Sequence, residues 1–180
     1  MSYCMDIYQK KEKKERKKMY KLEYDYDNRI IYKIKNENKE KMDFEFPSEP
    51  IVSPNGQNTV FIDPLEWESL GSLYMFNNII GEFTTLIEPE ENFIPKFVKW
   101  IDHETLGVII GFGHGTVAIG GNFFTYNLTT KEKTPLTEHG FNVQFTSFDI
   151  LPENKVKCKG IKYTDEILNQ FIEFEEVISL

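Results

Sequence analysis

Cysteine, histidine and long apolar runs are the scarce features of this 180-residue chain. Two cysteines, Cys4 and Cys158, are too few for a disulfide framework or a cysteine metal cluster; neither a metal nor any other cofactor is expected. No apolar stretch reaches the roughly 18 residues that a membrane-spanning helix needs. The charged N-terminus has no apolar segment behind it, so no secretory signal is visible. These absences predict a reducing, cytoplasmic setting. No Gly-x-Ser-x-Gly occurs, and none of the three histidines stands beside a serine or cysteine nucleophile, so nucleophilic catalysis finds no support.

What is present is a core. Apolar residues make up 40% of the chain and aromatics 14%, which excludes global disorder. A 21.2 kDa chain can bury about 70% of its extended surface. The formal charge is −8, unevenly spread: residues 1–18 carry seven Lys or Arg against Asp6, Glu12 and Glu15, leaving −12 for the rest. A basic arm can grip nucleic acid or an anionic membrane, but the acidic body repels phosphate backbones, so nucleic acid is not expected. Residues 1–18 read more simply as a solvated leader, disordered or a frayed helix.

A repeat of about fifty residues organises residues 19–180. Ser53-Pro54-Asn55-Gly56 is a tight turn between extended stretches. Equivalent turns follow at Asp102 to Thr105 and at Leu151 to Asn154. Gly71 to Phe76 recurs as Gly121 to Tyr126, and Asn77-Asn78 before Gly81 corresponds to a hairpin turn at Thr129-Thr130 before Lys131. Each unit reads strand, tight turn, strand, longer loop, strand, turn, strand, enriched in Val, Ile, Phe, Tyr and Thr. Units fall near 19–46, 47–92, 93–138 and 139–180. Four-stranded units of this length mark β-propeller blades, which must stack to bury both faces. The expected fold is mainly β: antiparallel four-stranded sheets stacked as a small or incomplete β-propeller. Short helical inserts are expected at Pro64 to Glu68 and after Thr164, where Thr164 could cap Asp165 to Leu168. A compact four-bladed form, an open stack, and a ring completed by a second copy through an edge strand are all compatible with the repeat.

Ser53-Pro54-Asn55-Gly56-Gln57 followed by Thr59 to Ile62 resembles the strand turn of TolB-like and WD40-like propeller repeats. Asp63 to Tyr74 is similar to an uncharacterised Bacillus and Clostridium family of propeller-like proteins, with Gly111 to Asn122 as the matching segment of the next unit. The resemblance covers roughly residues 47–137 and implies a fold, no activity, and a family whose members are often extracytoplasmic or lipid-anchored. The missing signal departs from that pattern.

Candidate functional residues lie in two connections. His114 stands in the glycine-rich run 111–121, which lacks the Lys-Ser/Thr helix of a nucleotide loop. Its ring could contact a ligand or move a proton. Asp63, Glu66 and Glu68 surround Trp67, an arrangement of acids and an aromatic that resembles a sugar-binding or glycosidase patch. His103 and His139 read as surface residues, and Cys158 as a buried strand residue between Lys157 and Lys159. The leading expectation is a non-enzymatic module that binds an unidentified protein or glycan through loops at His114, Trp67, Glu66, Glu68 and Asp63. The alternative is a hydrolase using His114 with the acids of loop 63–68, which requires those groups within about 10 Å of each other in one pocket.

Overall fold

The computed structural model describes residues 19–180; the leader expected over 1–18 lies outside the described residues. Among the described residues, fourteen strands form four antiparallel sheets. The first holds β1 (Lys21–Asp25), β2 (Ile30–Lys35) and β3 (Asn38–Lys41). The second holds β4 (Ile51–Val52), β5 (Asn58–Asp63), β6 (Ser72–Asn77) and β7 (Glu82–Ile87). β8 (Phe93–Trp100), β9 (Thr105–Phe112), β10 (Asn122–Asn127) and β11 (Lys133–Pro135) make the third. The fourth contains β12 (Val143–Leu151), β13 (Lys155–Tyr163) and β14 (Phe171–Ser179). Every sheet is a meander of sequential neighbours, the propeller-blade pattern expected from the repeat.

The sheets pack face to face because their central strands are apolar on both sides. In β9, Leu106, Val108 and Ile110 meet Val60, Ile62 and Leu73 of the second sheet. Ile109 points the other way, toward Phe145, Phe148 and Cys158 of the fourth. That inversion follows from the two-residue period of a strand. Gly107 lies on the second of these faces, where a Cβ would fall 2.5 Å from the Phe148 ring. Between the first and second sheets, Phe44 sits edge-on to Phe61 and Phe83 at 4.7 and 5.4 Å, and Tyr20 meets Phe76 at 6.3 Å. Each fully buried phenylalanine contributes about 2 kcal/mol of transfer free energy.

Equivalent positions of adjacent sheets also clasp each other laterally. The Trp100 indole donates to Ile51 O at 2.9 Å, across 49 positions. Lys99 Nζ donates to Phe148 O at 2.9 Å, across the same interval. Among the described residues no hydrogen bond, ion pair or ring contact joins the first sheet to the fourth, so these contacts run in a row. The outer face of the fourth sheet carries ion pairs, Lys157 with Glu175 at 2.5 Å and Lys159 with Asp149 at 2.6 Å, beside the exposed apolar Val177 and Phe171. Val156 and Cys158 alternate with these lysines and turn inward.

Two kinds of connection separate to the two ends of the stack. Tight turns within sheets occupy one end, at 36–37, 53–57, 78–81, 101–104, 128–132 and 152–154. The longer connections 42–50, 64–71, 88–92, 113–121, 136–142 and 164–170 gather at the other, together with the β1–β2 turn.

The expected helical inserts are absent: 64–68 and 164–170 are turns. At 164–170 the Asp165 carboxylate accepts from the amides of Asn169 and Gln170, each at 3.0 Å from Oδ1. Thr164 N bonds Gln170 O at 2.9 Å, closing the loop, and Leu168 has φ 57°. Seven residues cannot offset helix nucleation once side-chain oxygens take the amides. In the other connection Glu68 is likewise left-handed, with φ 57°, and Asp63-Pro64 is cis.

Candidate functional site

Connections 64–71 and 113–121 wall a groove of about 320 Å³ over the seam between the second and third sheets. Trp67, Glu66, Glu68, Lys96, Thr116 and Ile119 line it. Trp67 is 64% exposed and Ile119, on the facing wall, 49%. An exposed indole opposite an exposed aliphatic tip, both on loops carried by packed sheets, can hold an apolar group of a ligand.

Arg29 fixes the Trp67 wall. Its left-handed backbone, φ 53°, ends the β1–β2 turn and aims the guanidinium at connection 64–71. One arm donates to Glu66 Oε2 at 3.0 Å and another to Leu65 O at 2.7 Å, while the plane lies 5.5 Å over the Phe46 ring. Glu66 is therefore committed to an ion pair. Glu68 has no ion-pair partner among the described residues. On the groove floor the Lys96 ammonium donates to Ala118 O, and burial pushes its pKa down.

The five sequence candidates separate. Trp67, Glu66 and Glu68 share this groove. Asp63 is buried beneath it, its Oδ1 accepting from Phe46 N at 3.0 Å. Burial raises its carboxyl pKa, opposed by the amides of Phe46 and Glu45. His114 is outside the groove lining; its ring meets Phe112 edge-on at 5.7 Å and its Nε2 lies 3.4 Å from Asn92 Oδ1.

A second cleft of about 210 Å³ lies over the next seam, between connections 113–121 and 136–142, with Phe93, Phe141 and His139 in its lining. His139 is half-buried rather than a surface residue: Nε2 sits 2.7 Å from Glu176 Oε2, and its ring stands edge-on to Phe145 and Phe174. The glycine run is the structural part of this region. Gly121 and Phe145 exchange two backbone bonds of 2.9 Å, joining the third and fourth sheets directly. Cys158 is chemically quiet, its thiol pushed up to about 12 by burial and by Glu176.

Sequence reasoning missed Arg29, Lys96, Ile119 and the His139–Glu176 pair. The apolar Val117-Ala118-Ile119 inside a glycine-rich connection was the visible signal for one of them. Nothing local to Arg29 or Lys96 announces partners 36 and 22 positions away.

Among solved structures, the chain is similar to a protein named as a conserved lipoprotein from Clostridium novyi NT. Identity is 20%, with 90% of this chain and 96% of that one covered, and the TM-score is 0.69. TolB from Acinetobacter baumannii is similar at 12% identity and TM-score 0.54, over 90% of this chain and 38% of TolB. Both likenesses carry the fold. The first overturns the cytoplasmic expectation: the same fold serves a protein named as a lipoprotein, so few cysteines and no visible signal give no ground for placing the chain inside the cell. No helix among the described residues is long and apolar enough to cross a membrane. No curated protein matches the chain. The family model described as a domain of unknown function, DUF4652, matches residues 5–179, and the chain belongs to that family.

Proposed function

We propose that the chain is a non-enzymatic binding module that engages its partner through the long connections at one end of the stack. The observation that carries this reading is the pairing of Trp67 and Ile119 across a groove whose walls stand on packed sheets. A large exposed apolar side chain costs solvation free energy that a partner recovers on covering it. Loops on a rigid scaffold bind with little ordering cost. Glu66, an acid the hydrolase alternative would use, is held by Arg29, and the His114 ring contacts Asn92 and Phe112.

Site-specific photo-crosslinking tests the reading. A photoreactive side chain placed at Ile119 should capture a molecule in cells, whereas one placed at Ile79, on a turn at the opposite end, should not. Equal capture at both positions, or capture at Ile79 alone, contradicts it. Hydrolytic turnover that disappears in His114→Ala would replace it with the enzyme alternative.

A further inference from the structure

We infer that the occupant of the long-connection end is a basic polypeptide segment bearing apolar side chains. The inference rests on the binding reading above and adds the chemistry of the partner. Three acids fall in connection 42–50, two in 64–71, three in 88–92, one in 136–142 and two in 164–170. None of the six long connections contains a lysine or arginine. The cations that border the groove are already engaged, Arg29 with Glu66 and Leu65 O, Lys96 with Ala118 O. Glu66 and Glu90 are held by Arg29 and Lys133, and a ligand meets the remaining carboxylates together with the apolar tips.

The tips narrow the class further. Leu70, Ile119 and Ile167 are exposed and aliphatic, alongside exposed Trp67, Phe46 and Phe141. Sugars stack on aromatic faces, and branched aliphatic tips offer them no matching surface. Apolar side chains of a peptide fit both kinds. Phosphate backbones and anionic lipid headgroups are repelled by the same carboxylates. Connection 113–121 contains no Asp, Glu, Lys or Arg and separates the 320 Å³ groove from the 210 Å³ cleft. An extended segment can place apolar side chains in both and its lysines or arginines over the acidic connections on either side.

Trp67 provides the readout, because the other indole, Trp100, is buried and bonded to Ile51 O. The full chain is titrated with three synthetic peptides of equal length: alternating Lys and Phe, alternating Lys and Gly, and alternating Glu and Phe. The Lys/Phe peptide should blue-shift the indole emission and bind at least about tenfold more tightly than either other. Its affinity should fall steeply with added salt. Calorimetry on the double variant Glu68→Lys with Glu91→Lys, and on Trp67→Ala, should show about tenfold or greater losses. All three positions are exposed, and thermal melting confirms that the variants fold. If the Glu/Phe peptide binds best and still depends on Trp67, the loop end stands as a binding surface and the basic partner is overturned. If the Lys/Phe peptide binds wild type and variants alike, both this inference and the binding reading at this end are overturned. Absence of binding by all three peptides overturns the basic-segment inference alone.

Discussion

At the residue scale, the positions that matter most are those where two backbone segments approach too closely to admit a side chain. A Cβ on Gly121 would lie 2.0 Å from Ile110 O, an approach that no side-chain movement can relieve. Gly121→Val should therefore cost roughly 3 kcal/mol or more, read as a lowered melting temperature; unchanged melting would contradict the close approach. Asp63 gives a pH signature. Its carboxyl is raised above 3.8, so the folded state binds the proton more tightly than the unfolded chain. That contribution is fully present below the unfolded value and is lost as pH rises through the folded one. The stability of wild type relative to Asp63→Asn should accordingly fall from acid toward neutral pH in urea titrations. A relative stability that rose over that interval would show the carboxylate to be the favoured form. Of the candidate site, the sequence disclosed Trp67 and its flanking acids as neighbours because they are adjacent in the chain. The burial of Asp63 and the capture of Glu66 were hidden, since both depend on residues distant in the chain, Phe46 and Arg29.

Elements repeat down to single hydrogen bonds. Asn77 Oδ1 accepts from Ile79 and Ile80 amides, and fifty positions later Asn127 Oδ1 accepts from Thr129 and Thr130. In each turn the backbone then closes on a left-handed residue, Gly81 or Lys131. Asn127→Ala and Asn77→Ala should each cost about 1 kcal/mol, measured by denaturant titration; a negligible loss in both would remove the side-chain bonds as the reason for the repeat. These turns and the strands around them were legible because turn chemistry is local. The supposed helical inserts were misjudged for the same reason. Thr164 and Asp165 have capping chemistry, but their oxygens serve a closed loop whose ends are pinned by β13 and β14, a constraint from outside the segment.

Across the whole molecule, contacts between neighbours in a row imply graded stability. Ile31 is the one buried apolar residue of β1 to β3, whereas the third sheet is packed on both faces. Hydrogen exchange should be fastest in β1 to β3 and slowest in β9; uniform protection would indicate a single cooperative unit. The separation of tight turns from long connections has a practical corollary. The register of the sheets is set by strands, short turns and the Gly121–Phe145 junction, while the 164–170 connection closes on its own backbone bonds. Sequence within 164–170 can be exchanged for foreign peptide without rewriting the rest, so the chain is a candidate display chassis with a single self-closed insertion point.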